Sequence, residues 1–150
     1  MCWTNRRTLV CNTEAPVRAR NFCANVVSLR LGHPWIDAPT YDMRLVASEL
    51  VTNALNAGCT DLRLMITLHR SRVRVSVFDN APGLPRLVDA GPNDASGRGL
   101  AITAALALEV GLERASIGKE VWADLPVEPG LFGDETPEWC DQPPPLERVV

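Results

Sequence analysis

The sequence predicts an α/β fold in which helices cover one face of a β-sheet. Residues 62–68 and 73–79 alternate apolar and polar side chains on either side of a short turn, which is typical of an antiparallel hairpin with one buried face. Upstream, residues 14–31 and 40–57 repeat apolar side chains at helical spacing. A chain of 150 residues is long enough to bury a core, so these patterns fit one globular domain.

The other elements follow from the same periodicities and from turn residues. We expect a strand over residues 6–12, a first helix ending at Gly32, a second helix with Thr40 as N-cap and an end near Gly58, a third helix from Gly99, and last strands over Val110–Ala115 and Lys119–Leu125.

The second helix carries a narrow polar stripe formed by Glu49, Asn53 and Asn56, which lie within about one-sixth of a turn of each other at 100° per residue. A carboxylate there could act as a general base, and a carboxamide oxygen is a hard ligand that suits Mg²⁺. The alternative is a solvated polar edge. The opposite flank is apolar and should meet the core; it comprises Met43, Val46, Ala47, Leu50, Ala54 and Ala57.

Asp79 ends the hairpin with the same parity as Val75 and Val77, so its carboxylate should point to the face covered by helices. A charge at that position needs a partner, and the amino group of adenine is one candidate. The alternative is an aspartate that only satisfies the turn over residues 79–83.

The segment between Gly83 and Gly99 shows no regular pattern, and its length, beyond about 12 residues, favours a functional lid or disorder. It ends in Gly97-Arg98-Gly99-Leu100. The N-terminus of the helix that begins there, with Arg98 beside it, would offer free N–H groups and a positive dipole end to a phosphate.

Composition and charge limit the function classes. A net charge of −3 argues against a dedicated nucleic-acid surface, and neither a signal-peptide core nor an apolar run of roughly 20 residues is present, so we expect a cytoplasmic protein. The five scattered cysteines indicate reduced, mostly structural thiols and no zinc site, and His33 and His69 are expected at the surface or in loops.

The chain divides into a domain over residues 1–126 and an acidic, proline-rich tail over residues 127–150. We expect the tail to be loosely ordered or draped over the domain. Leu131, Phe132 and Trp139 are its candidate anchors.

Four motifs in order, residues 48–54, 79–85, 97–102 and 118–125, resemble the N, G1 and G2 boxes and last strand of the GHKL ATPases, and most of all the actinobacterial anti-sigma-factor serine kinases. The resemblance implies the Bergerat fold, a two-layer α/β sandwich with a mixed, mostly antiparallel sheet and helices on one face. It also implies bound ATP and Mg²⁺. The matching roles are Glu49 as general base, Asn53 as Mg²⁺ ligand, Asp79 as adenine reader, Gly83 as start of the lid, and Gly97, Arg98, Gly99 and Leu100 at the phosphates.

Two hypotheses of function follow. The first is a serine/threonine kinase that phosphorylates an anti-anti-sigma (STAS-type) protein and sequesters a sigma factor, with a homodimer suggested by family analogy. The second is a catalytically weak or inactive module that only sequesters its partner. The second is motivated by Asn56 and Ala57, where many relatives carry a cation, and by Glu120, where the family usually has threonine near the adenine. An inward-pointing Glu120 would repel Asp79, and strand parity leaves its direction open.

Overall fold

The computed structural model describes residues 3–32, 38–83 and 95–133. The elements are β1 (Trp3–Leu9), α1 (Ala15–Leu31), α2 (Ala38–Asn56), β2 (Leu62–Leu68), β3 (Arg72–Asp79), α3 (Ala95–Leu106), β4 (Glu109–Arg114) and β5 (Lys119–Pro126). The strands form one sheet in the order β1-β2-β3-β5-β4, and every neighbouring pair is antiparallel. The predicted α/β sandwich is confirmed.

The core lies between the helices and the apolar face of the sheet. Leu62, Leu64, Ile66 and Leu68 of β2 are fully buried, as their alternation predicts. α2 is the central helix, because it packs against α1, α3 and the strands β2, β3 and β5. The predicted apolar flank of α2 is buried from Met43 to Ala54, whereas Ala57 lies beyond the end of the helix and is exposed.

Three elements differ from the prediction by three residues or more at one or both ends. β1 spans Trp3–Leu9 rather than residues 6–12. α2 begins at Ala38, so Thr40 lies inside its first turn and is buried instead of capping the helix; the proline at position 39 is tolerated because first-turn N–H groups have no intrahelical partner. α3 begins at Ala95 rather than Gly99. The sequence did not predict this start because the small residues before Leu100 carry no apolar periodicity.

The face of the sheet turned away from the helices carries a charged cluster. Arg74 donates two hydrogen bonds to Asp124, at 2.6 and 2.7 Å, and its guanidinium lies 3.8 Å from the ring centroid of Trp122. Arg72 donates a further bond to Asp124 at 3.2 Å. Asp124 is fully buried, so its charge is compensated by these two cations. Gly111 makes room for the ring, because a Cβ at this position would overlap the indole of Trp122.

The first residues of the predicted tail pack on the domain. Val127 donates its N–H to the carbonyl of Ser71 at 3.0 Å, and Gly130 donates to that of Arg70 at 3.1 Å. Phe132 is fully buried and Leu131 packs against the core. Both residues therefore anchor the chain after β5, while Trp139 lies outside the described residues.

The described cysteines, Cys11, Cys23 and Cys59, are free thiols. The sulfurs of Cys11 and Cys59 lie 2.7 Å apart, and burial raises the pKa of Cys23 to about 12. His69 lies in the turn between β2 and β3, as expected of a loop residue, and is buried there; His33 lies outside the described residues. No described helix is both long and apolar enough to cross a membrane.

Candidate functional site

Asp79 lies at the end of β3 with its side chain on the helix-covered face, as its parity predicts. It pairs in register with Leu62 of β2 and Lys119 of β5, and only 2% of the residue is exposed. Its Oδ1 atom accepts a hydrogen bond from the N–H of Ala81 at 2.9 Å and another from the Nζ of Lys119 at 2.9 Å. Asp79 therefore makes the hydrogen bond expected of a turn aspartate, to the N–H of Ala81, and its buried charge also has a partner, Lys119.

Lys119 is the residue of this site that sequence reasoning missed. It is as buried as its partner, with 4% of its surface exposed. Among the described residues, its Nζ makes a single hydrogen bond, the one to Asp79. One signal could have singled it out: the other 14 of the 15 basic residues are arginine, so Lys119 is the only lysine in the chain.

Glu120 lies on the opposite face of the sheet, and the predicted possibility of repulsion from Asp79 does not arise. The register pairs Glu120 with Phe78 of β3 and with Glu113 of β4, while its neighbour Lys119 takes the place beside Asp79. Burial raises the pKa of Glu120, and the carboxylate of Glu113 acts in the same direction.

Glu49 lies half-buried where α2 meets α3, with its carboxylate against Gly99. A Cβ at position 99 would overlap the Oε2 atom of Glu49, so the glycine lets the two helices approach each other. The hydroxyl of Thr103 donates to the carbonyl of Gly99 at 2.8 Å. Because α3 begins at Ala95, its free N–H groups belong to residues 95–98, which include Gly97 and Arg98 of the predicted phosphate-binding residues, while Gly99 and Leu100 lie inside the helix.

Asn53 follows Glu49 by one turn on the same side of α2. It is half-buried, and its Nδ2 atom is buried without a hydrogen-bond partner in the described part of the chain. Buried polar atoms normally have partners, so this amide is available to bond a ligand. A carboxamide can present either its nitrogen or its oxygen after a half-turn, so Asn53 fits a Mg²⁺ site. Asn56, the third residue of the predicted stripe, is exposed.

The remaining predicted residues are placed as follows. Gly83 is exposed and has a φ of +92°, a backbone conformation that favours glycine at the start of the expected lid. Leu100 is buried, Gly97 lies in the first turn of α3, and the side chain of Arg98 is outside the described residues, as is the segment 84–94. α2 packs against both α3 and β3, the elements that carry Gly99 and Asp79.

A family model described as a histidine kinase-like ATPase domain matches residues 13–125. The chain belongs to this family. Membership in the GHKL superfamily, which the four motifs predicted, is thereby confirmed. Among solved structures, the chain is similar to a histidine kinase domain from Erythrobacter litoralis EL346, part of a blue-light activated histidine kinase. The identity is 20%, the match covers 72% of this chain and 60% of that chain, and the TM-score is 0.43. No curated protein matches the chain.

The matched region of this histidine kinase-like ATPase domain contains all the candidate site residues. It runs from just before α1 to the end of β5 and includes Glu49, Asn53, Asp79 and Lys119. The family match therefore covers the whole site, whereas residues 127–133, which pack against the turn between β2 and β3, lie just outside the matched range.

Proposed function

We propose that this ATPase domain binds Mg-ATP beside α2, α3 and β3, transfers the γ-phosphoryl group to a serine or threonine of an anti-anti-sigma (STAS-type) protein, and sequesters a sigma factor. One observation carries the proposal. The carboxylate of Glu49 lies against Gly99, one helical turn from the buried and unpartnered Nδ2 atom of Asn53. An acid and a carboxamide are thus held together near the N-terminal end of α3, where anionic phosphates are favoured.

Each residue contributes a separate part of the chemistry. Glu49 takes the proton of the attacking hydroxyl, since it is half-buried and has no bonded cation among the described residues to occupy its carboxylate. Asn53 supplies an oxygen to the metal ion, and the N–H groups of residues 95–98 donate to phosphate oxygens. When bound, Mg²⁺ would offset the charge that develops during phosphoryl transfer.

Asp79 contributes the contact to the adenine base. Its described hydrogen bonds both end on Oδ1, so Oδ2 can accept a bond from the amino group of adenine. The kinase branch, the STAS-type substrate, the sigma factor, a homodimeric state and a cytoplasmic location rest on the resemblance of the four motifs to the actinobacterial serine kinases.

A second candidate function is a binding module that sequesters its partner without catalysis. The Asp79–Lys119 ion pair favours it, because this bond neutralises the predicted adenine reader when no nucleotide is present. In this second case the ion pair with Lys119 prevents Asp79 from binding adenine.

Phosphate transfer tests the proposal directly. Purified protein is incubated with Mg-ATP and candidate STAS-type proteins encoded nearby, and the products are examined by mass spectrometry for phosphoserine or phosphothreonine. We expect Glu49→Gln to abolish transfer while nucleotide binding and partner sequestration persist. Asn56→Ala, an exposed position on the same helix, is the matched control and should transfer phosphate as the parent does. An absence of Mg-ATP binding by calorimetry at millimolar nucleotide would contradict the kinase and favour the binding module.

A further inference from the structure

We propose that Lys119 and Asp79 read the purine base as a pair, with the ammonium of Lys119 donating a hydrogen bond to N1 of adenine while Asp79 accepts one from the 6-amino group. This inference rests on the proposed nucleotide site and adds a specificity-determining residue to it. It departs from a pocket in which Asp79 alone provides a direct contact to the base.

The hydrogen-bonding capacity of Lys119 motivates the proposal. An ammonium group has three N–H donors, and the described residues provide an acceptor for one of them, the Oδ1 atom of Asp79 at 2.9 Å. The side chain of Lys119 is 5% exposed, so bulk water has little access to the remaining donors. Two donors of this buried cation have no acceptor in the described part of the chain, so they can bond a ligand that brings acceptors.

The edge of adenine complements this pair. The 6-amino group of adenine is a donor and lies beside the N1 acceptor. The protein offers a donor, Lys119 Nζ, bonded to one oxygen of the Asp79 carboxylate at 2.9 Å, and an acceptor, Oδ2, on the same carboxylate. Because both bonds are charge-assisted, they are stronger than bonds between neutral groups. The ion pair is therefore part of the recognition surface and does not have to break when a base binds.

Guanine fits less well at the same pair. Its edge offers one acceptor, O6, and donors at both N1 and N2, so it needs two free acceptors from the protein. Oδ1 of Asp79 is already engaged by the N–H of Ala81 and by Lys119, which leaves Oδ2 alone. A bound guanine would leave one donor without a partner, so the pair favours adenine.

Calorimetric titration with nucleotide analogues tests the assignment on the unmodified protein. The ligands are Mg-ATP, Mg-1-deaza-ATP, in which N1 is replaced by C–H, and Mg-7-deaza-ATP as the matched control. We expect 1-deaza-ATP to bind about tenfold or more weakly than ATP, which is the range for one charge-assisted bond, and 7-deaza-ATP to bind within about twofold. Equal affinity for ATP and 1-deaza-ATP would overturn the role of Lys119, and tighter binding of GTP than ATP would overturn the assignment to adenine.

Variants at position 119, titrated with the same nucleotide analogues, form a double-mutant cycle between the protein and the ligand. In Lys119→Met and Lys119→Gln, the discrimination between ATP and 1-deaza-ATP should fall to about twofold for methionine and remain partial for glutamine, which keeps a donor. If either variant binds ATP more tightly than the parent, Lys119 blocks the site and the inference is wrong. If neither the parent nor the variants bind any nucleotide, the proposed function is wrong. This outcome differs from one in which the parent binds ATP but does not discriminate against 1-deaza-ATP, which would contradict only the role of Lys119.

A spectroscopic measurement avoids the risk that an unpaired Asp79 unfolds the variants. Since Lys119 is the only lysine, protein labelled with ¹⁵N-lysine gives one side-chain ammonium signal. We expect this signal to shift on addition of Mg-ATP or Mg-7-deaza-ATP and to shift much less with Mg-1-deaza-ATP at saturation. An identical shift with all three ligands would contradict a bond from Lys119 to N1.

Discussion

The carboxylate of Glu49 on α2 lies against the backbone of Gly99 on α3, in space that any side chain at position 99 would occupy. Glycine is among the least favourable residues inside a helix, so its presence in α3 is explained by this contact rather than by helix propensity. The position of the candidate general base therefore depends on the close packing of α2 and α3.

Replacement of Gly99 by alanine should displace the carboxylate of Glu49. The added Cβ meets the Oε2 atom at the flexible end of that side chain, so the cost of overpacking should lie near the lower end of about 1–3 kcal/mol, against a gain in helix propensity of about 1 kcal/mol. We expect little net change in urea denaturation and a clear loss of phosphate transfer. Ala104→Ser, exposed on the same helix, is the control. In the background of Glu49→Ala the same change should become stabilising; an unchanged effect on stability there would contradict the contact.

The buried carboxylate of Asp124 should be far more important for stability than an exposed one. Asp124→Asn removes the partner of Arg74, and breaking a buried pair costs about 3–5 kcal/mol because the remaining charge stays desolvated. The surface pair between Arg63 and Asp61 provides the comparison, since Asp61→Asn should cost less than about 1 kcal/mol. Chemical denaturation followed by tryptophan fluorescence measures both. A similar loss of unfolding free energy in the two variants would show that Asp124 is not desolvated.

Glu120 should make stability depend on pH in the acid range. Its pKa is raised by burial above the ordinary value of 4.5, so the stability associated with its protonated form is present below that value and lost as pH rises through the folded-state pKa. Glu120→Gln should therefore raise the free energy of unfolding at pH 7, and the difference from the parent should vanish near pH 4. Urea titrations at several pH values measure this difference. Glu109→Gln, at an exposed position, should show no such convergence; a destabilised Glu120→Gln at pH 7 would contradict the prediction.

Phe132 should contribute to the stability of the whole domain although it follows the last strand. It is 1% exposed, and truncation of a buried phenylalanine to alanine costs about 3–5 kcal/mol. Thermal and urea denaturation of Phe132→Ala test this against Glu128→Ala, which changes an exposed residue of the same segment. Two variants of equal stability would mean that residues 127–133 do not complete the core.

Local periodicity predicted the elements and the faces of β3 and α2 well. Asp79 was placed correctly because β3 pairs without a bulge up to its last residue, and Glu49 and Asn53 were placed on one side of α2 by helical geometry. The start of α3 was missed because small residues at 95 and 96 carry no hydrophobic signal. The secondary structure of such residues depends on their contacts with other elements rather than on a pattern in their own sequence.

The face of β5 could not be predicted from its own sequence. Val121 and Trp122 are both apolar, so either alternating set could have been the buried one, and only the pairing of Asp79 with Lys119 decides the matter. The same limit applies to the contact of Glu49 with Gly99, which joins residues far apart in the chain. Sequence patterns identify the residues of the site, whereas their neighbours depend on register and helix packing.

The burial of Lys119 also has a consequence for covalent modification. Enzymes that acetylate lysine or attach small protein tags to it need an accessible side-chain amine. Within these 150 residues the only one is that of Lys119, which is buried and bonded to Asp79. The folded domain should therefore be inert to such enzymes at its side chains, and acetylation at Lys119 would mark molecules in which β5 had detached.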